Sequence, residues 1–198
     1  TLVDILYETA RKYQNPRLLN QPTNGAWKPF SMEEFRNASE EIAVGLNRSG
    51  FEKGDKIALY MDSDAYFCLA DMGCLIAGCI DVPIYVTHTA DAVAYVLDHS
   101  ESRAVFVSSP ERLEEISNIL PDAPGIQCVI VADPGGQELA LPDEVEDVEL
   151  MTLVELRTKG REHLNERPDA VNELTERVEP DDLATLIYTS GTTGKPKG

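Results

Sequence analysis

Basic residues are scarce in this chain. Seventeen Lys and Arg stand against 35 Asp and Glu, a formal net charge of −18 over 198 residues. Nucleic-acid binding needs a basic face, and adsorption to an anionic bilayer needs basic clusters; the balance argues against both. Cysteine is sparse too, limited to Cys68, Cys74, Cys79 and Cys128. No Cys-x-x-Cys pair occurs. On one helix Cys68 and Cys79 would lie about 16 Å apart, too far to share a metal. They read as buried, reduced thiols of a cytoplasmic protein. Long apolar runs are also missing. The most apolar stretch, CLADMGCLIAGCIDVPIYV, is interrupted by Asp71, Asp81 and Pro83. It reads as a buried helix followed by a buried strand, not as a membrane span. Nothing near Thr1 has the layout of a secretion signal, and no internal repeat is visible.

What is present is a regular alternation. An amphipathic helix is expected from Thr1 to Tyr13, with Leu2, Ile5, Leu6, Ala10 and Tyr13 on its inner side and Thr1 and Asp4 as a capping pair. Asn24-Gly25 marks a hairpin. Ser31 and Glu34 stand in capping-box spacing at the head of a second helix, whose stripe is Phe35, Ala38, Ile42 and Leu46 and which Gly50 ends. Short apolar runs then alternate with helical ones. The strands are KIALYM, DVPIYV, AVFVSS and CVIVAD; the helices are Asp64 to Ala77, Thr89 to His99 and Pro110 to Leu120. An acidic stretch from Pro134 to Glu149 is expected to be a flexible insertion. Leu150 to Glu166 reads as helix, and LATLIYT as a last strand. Short, fully apolar strands separated by helices predict an α/β fold with a mostly parallel sheet covered on both faces.

The charge is unevenly spread. Asp143 to Asp182 is strongly acidic, whereas Thr189 to Gly198 carries Lys195 and Lys197 and no acid. That last stretch, TSGTTGKPKG, follows the predicted final strand, and ligands of parallel α/β sheets sit at the carboxyl ends of strands. Gly191 and Gly194 let successive backbone N–H groups converge on one anion. Thr189, Ser190, Thr192 and Thr193 add hydroxyl donors, and the lysines add charge. The combination is a phosphate cradle. It is not the loop of GTPases, which needs four residues between its first Gly and the Gly-Lys pair, followed by Ser or Thr. Here Thr192 and Thr193 alone separate Gly191 from Gly194, and Pro196 takes the Ser/Thr position. Proline also disfavours helical geometry at Lys195, so the loop is not expected to run straight into a helix.

YTSGTTGKPKG resembles the signature loop of the adenylate-forming superfamily: acyl-CoA synthetases, luciferases and the adenylation domains of peptide synthetases. The resemblance extends upstream through FSMEEFRNASEEIAVGLNRSGFEKGDKIALYMDSDAYFCLADMGCLIAGCIDVPIY and HTADAVAYVLDHSESRAVFVSS. The VPIYVT run, with Tyr85, looks most like long-chain fatty acid–CoA ligases. The resemblance implies two half-reactions. A fatty carboxylate attacks the α-phosphate of ATP to give acyl-AMP and pyrophosphate, and coenzyme A then takes the acyl group. It implies that Thr189, Ser190, Gly191, Thr192, Thr193, Gly194 and Lys195 hold the β- and γ-phosphates, that Lys197 supports the loop, and that Thr189 or Thr192 helps place Mg²⁺. No catalytic residue is assigned within the chain. Residues 1–198 would be the N-terminal part of the large AMP-binding domain, ending just after the phosphate loop. The later adenine, ribose and lysine motifs lie outside it, so the piece alone is not expected to complete the reaction.

The remaining titratable residues carry less. Asp71, Asp81, Asp91 and Asp98 read as caps or solvated side chains. Tyr60, Tyr66 and Tyr85 read as core residues with the hydroxyl at the edge, and His88, His99 and His163 as surface residues. Other classes stay open: a fatty acyl-AMP ligase, an aryl-CoA ligase, a peptide-synthetase adenylation domain, or a non-catalytic interaction module. The expected partners are small molecules (ATP, fatty acid and coenzyme A) and not nucleic acid. Peripheral membrane contact of a longer chain and self-association through open sheet edges complete the expectations.

Overall fold

The computed structural model describes all residues except Asn24, Glu146 and 191–195; of Ser190 and Pro196 it describes the backbone alone. In chain order the elements are α1 (Leu2–Lys12), β1 (Leu19–Thr23), β2 (Ala26–Phe30), α2 (Met32–Arg48), β3 (Lys56–Tyr60), α3 (Ala65–Ala77), β4 (Ile80–Pro83), α4 (Ala90–His99), β5 (Ser102–Val107) and α5 (Pro110–Ser117). A 3-10 turn (Leu120–Asp122) follows, then β6 (Cys128–Val131), β7 (Glu149–Thr152), α6 (Leu153–Glu166), α7 (Ala170–Thr175), β8 (Thr189–Ser190) and β9 (Pro196–Lys197).

Five strands form a parallel sheet in the order β4-β3-β5-β6-β7. Side chains of successive strand residues point to opposite faces, and here both faces are buried. Ile57 and Leu59 of β3, Ala104 and Phe106 of β5, and Cys128 and Ile130 of β6 join α1, α2, α3, α6 and α7 in one core. The alternate residues Ala58, Tyr60, Val105, Val107, Val129 and Val131 meet α4 and α5 in the other. That double burial is why the strands read as continuous apolar runs. Leu139, Leu141, Val145 and Val148, from the acidic stretch after β6, pack against the second core.

The first core is built on close helix contacts. A Cβ on Gly160 of α6 would lie 1.9 Å from the Glu41 carbonyl oxygen of α2, and one on Gly45 would lie 2.3 Å from the Leu156 carbonyl oxygen. The two glycines face each other's helix, so the backbones approach where any side chain would hold them apart. Above them Glu41 accepts from Arg157 at 2.7 Å and pairs with Arg161 at 3.5 Å.

Capping chemistry set the helix starts as the sequence indicated. Thr1 with Asp4 and Ser31 with Glu34 both form reciprocal boxes. Several boundaries differ. On α1 the inner stripe is Val3 and Leu6, with Tyr7 and Ala10 against the core, while Leu2, Ile5 and Tyr13 face outward. Periodicity fixes the width of a stripe, and packing against α2 and α3 chose its rotation by about one residue. Leu150 to Thr152 is not helical: Glu149–Thr152 completes the sheet as β7. The Thr152–Glu155 capping box then starts α6 three residues later than expected. α5 ends at Ser117, β4 ends at Pro83, and α7 was not foreseen. Among the described residues no helix is long and apolar enough to cross a membrane.

Among the described residues the predicted last strand, LATLIYT, meets the parallel sheet at one bridge, Thr185 beside Asp81 in parallel, and its last residue, Thr189, belongs to β8 instead. The reason for the single bridge is Pro83. Ile80 and Ile84 direct their N–H groups to the β3 side, to the Asp55 and Leu59 carbonyls. Asp81 and Pro83 therefore face the outer edge. Asp81 donates there, and Pro83 has no N–H to continue the ladder.

Candidate functional site

The polypeptide runs along this outer edge toward residues 189–198, where the sequence leads one to expect a phosphate cradle. Lys53 Nζ first fixes the incoming run, with 2.7 Å contacts to both the Arg177 carbonyl and Asp182 Oδ2. Asp81 holds the next turn of it. Its N–H donates to the Ala184 carbonyl at 3.1 Å, its carbonyl accepts from the Leu186 N–H at 2.9 Å, and its Oδ1 accepts from the Thr185 hydroxyl at 2.8 Å. Because Asp81 and Thr185 pair in parallel, the chain leaves this contact toward the carboxyl end of β4, the end of a parallel sheet where ligands bind.

Tyr188 is the second anchor. Its ring is buried to 4% exposure, and its hydroxyl lies 2.8 Å from His99 Nδ1, at the end of α4. His99 packs edge-on to Tyr188 and leans over Tyr95. Burial raises the Tyr188 phenol above its ordinary value. Thr189 and Ser190 then pair antiparallel with Lys197 and Pro196, forming the stem of a hairpin. Thr189 stands opposite Lys197, and both side chains are exposed. The returning arm passes over the same tyrosine: a Cβ on Gly198 would sit 2.7 Å from the Tyr188 ring. One aromatic ring thus supports both arms. Gly191, Thr192, Thr193, Gly194 and Lys195, expected to form the cradle, lie outside the described residues.

Asp81 is not the solvated or capping residue that its neighbours in sequence suggested. In β4, Val82 faces the α4 side of the sheet, so Asp81 faces α3, where it is 2% exposed. There it neighbours the carboxyl of Asp71. Burial pushes Asp81 up to about 7; the Thr185 hydrogen bond opposes the rise and the Asp71 charge adds to it. Burial likewise raises Asp71. Tyr60 and Tyr66 are buried or half-buried as expected, but Tyr85 is 64% exposed and turns outward beside His88 after β4 ends.

A second polar cluster lies where the strand order reverses, at the carboxyl ends of β3 and β5. The Asp62 N–H donates to Ser108 Oγ at 2.7 Å, Arg112 holds Glu115 at 2.6 Å, and the Tyr60 hydroxyl donates to Glu115 at 2.8 Å. These groups satisfy one another. Among the described residues no group of three His, Cys, Asp or Glu is arranged to hold a metal ion.

Two anchors, Asp81 and Tyr188, thus lead the chain into the stem of a hairpin on a parallel α/β fold. A family model described as AMP-binding enzyme matches residues 6–198, and the chain belongs to that family. Long-chain-fatty-acid–CoA ligase 1 of Cavia porcellus is 30% identical over 191 residues, covering 90% of this chain and 26% of that protein. The peroxisomal long chain acyl-CoA synthetase 7 of Arabidopsis thaliana is 28% identical over 187 residues, 94% of this chain and 25% of that one. The chain spans about a quarter of the length of these curated relatives. Among solved structures, the adenylation domain of a carboxylate reductase from Mycobacterium chelonae matches all of this chain and 34% of its own, with a TM-score of 0.79 at 23% identity. The anthranilate CoA ligase AuaEII matches 98% of this chain and 33% of its own, with a TM-score of 0.72 at 21% identity. Those two likenesses establish the fold.

Proposed function

We propose that this chain is the N-terminal part of the large domain of an AMP-forming long-chain fatty acid–CoA ligase. The observation that carries the reading is the likeness over nearly the whole chain to long-chain ligases, joined to a hairpin stem that the chain enters after running parallel to β4 at Asp81. In the first half-reaction a carboxylate oxygen of the fatty acid bonds to the α-phosphorus of ATP, and pyrophosphate leaves with the electrons of the broken P–O bond. In the second, the coenzyme A sulfur bonds to the acyl carbon and AMP leaves; the thiol proton passes to solvent.

The work of residues 189–197 is electrostatic. Thr189, Ser190, Gly191, Thr192, Thr193, Gly194 and Lys195 hold the β- and γ-phosphates through hydroxyls, backbone N–H groups and one ammonium, and so stabilise charge gathering on the leaving pyrophosphate. Lys197, paired with Thr189 in the stem, adds charge behind the loop. Thr189 or Thr192 would offer a hydroxyl ligand to Mg²⁺, a hard cation that keeps most of its waters and would supply further neutralisation of the same charge. The test is fatty-acid-dependent exchange of labelled pyrophosphate into ATP by the intact protein. Exchange that is lost in Lys195→Ala supports the reading. Fatty-acid-dependent exchange of phosphate rather than pyrophosphate refutes it, since that would place the cleavage at the γ-phosphate.

A further inference from the structure

The pyrophosphate-binding reading leaves one buried group unused: a carboxyl in the middle of an apolar strand. A residue there needs only to fill space between β4 and α3, as Ile57 and Leu59 of the adjacent strand do with hydrocarbon on the same face. Asp81 instead spends its buried position on polar contacts, and all those outside its own sheet ladder point to two places, Asp71 and the run entering the hairpin. Its two backbone groups and its Oδ1 take up Ala184, Leu186 and Thr185 in turn. Since Pro83 prevents a longer ladder, these three hydrogen bonds are the described backbone and side-chain attachment of that run to the sheet. Four residues further on stands Thr189, within about 13 Å even if the chain between were fully extended.

We infer that Asp81 is a positioning residue for the phosphate hairpin: it docks Ala184–Leu186 on the outer edge of β4 and so sets where the chain enters the loop. The inference rests on the proposed function for the identity of what is positioned, but not for the docking itself. The groups that face the Asp81 carboxyl are few. From α3 come the Asp71 carboxyl and the Cys74 thiol, from the docked run the Thr185 hydroxyl, and from β3 the apolar partner Ile57. No cation is among these. Burial and the Asp71 charge therefore raise the Asp81 carboxyl with no cation to offset them.

The test compares the intact protein with Asp81→Val and Asp81→Asn. Valine keeps the strand and the burial but removes the acceptor; asparagine keeps an acceptor oxygen for Thr185 and cannot ionise. The first readout is hydrogen exchange at the Leu186 amide, corrected for its intrinsic rate, which needs no activity. Protection should fall about tenfold in Asp81→Val and stay within about twofold of wild type in Asp81→Asn, as for one hydrogen bond lost or kept. The second readout is pyrophosphate exchange, where Asp81→Val should raise the KM for ATP more than it lowers kcat. Unchanged Leu186 protection in Asp81→Val overturns the docking. Equal losses in valine and asparagine variants reduce Asp81 to a packing residue. Lost protection with an unaltered KM for ATP overturns the positioning of the hairpin. A wild-type protein without pyrophosphate exchange would overturn the proposed function and the positioning of a phosphate site with it, and the amide readout would still decide the docking.

Discussion

Replacing Asp81 by Asn removes one proton-binding group from the α3 face of the sheet and leaves the side-chain shape almost unchanged. In an unfolded chain this carboxyl titrates near 3.8; in the fold, burial pushes it up to about 7. Between those values the folded protein keeps a proton that the unfolded chain has released, so stability falls as pH rises across the window and levels off above it. Each tenfold change in proton affinity is worth about 1.36 kcal/mol, so between about pH 5 and about pH 8 the wild type should lose about 3 kcal/mol more than Asp81→Asn. Asp71 is raised by the same burial, and its decline with pH has the same sign. The assay is urea denaturation of both proteins at the two pH values, with midpoints and slopes fitted together. Parallel pH curves for wild type and variant would refute the buried-pair argument, because the exposed carboxylates common to both can produce only a shared slope.

Three further substitutions test the frame around the site. Gly160→Ala should destabilise by about 1–3 kcal/mol through overpacking of α6 on α2, read as a lowered urea midpoint; a neutral result would mean that the helices separate freely. Tyr188→Phe removes the hydroxyl that meets His99 and should cost about 1 kcal/mol, with a larger rise in the KM for ATP than in any substrate bound elsewhere; an unchanged KM would deny that Tyr188 supports the hairpin. Thr152→Ala breaks the capping box of α6 and should lower stability by about 1 kcal/mol, measurable as a shifted thermal midpoint, whereas Thr158→Ala on the same helix should shift it less.

The alternation of short apolar runs with helical stripes was enough to read the parallel sheet, because double burial removes the polar residues that would blur a strand. Capping boxes at Thr1 and Ser31 were legible for a local reason: their partners are three residues away. The misreadings share a cause in partners far along the chain. β7 is a strand because β6 offers an edge to Glu149–Thr152, which no local pattern announces. LATLIYT has the composition of a strand, but its ladder partner carries Pro83, and the missing N–H is visible only once the two runs are side by side. Asp81 gave a signal that went unused: a carboxylate between Ile80 and Val82 in a sheet covered on both faces has no route to water. Its partners, Asp71 ten residues back and Thr185 about a hundred ahead, were not legible. Tyr188 adjoins the loop in sequence, yet its role depends on His99, which helical periodicity placed on the surface without showing what it would meet.

The central claim is that the hairpin serves an enzyme that joins fatty acids to AMP and then to coenzyme A. The most direct test incubates the intact protein with ATP, Mg²⁺ and a panel of carboxylic acids, with and without coenzyme A, and identifies the products by mass spectrometry. The account predicts AMP in both cases, acyl-AMP without coenzyme A, and long-chain acyl-CoA with it. ADP in place of AMP, or no acyl product from any long-chain acid, would contradict it.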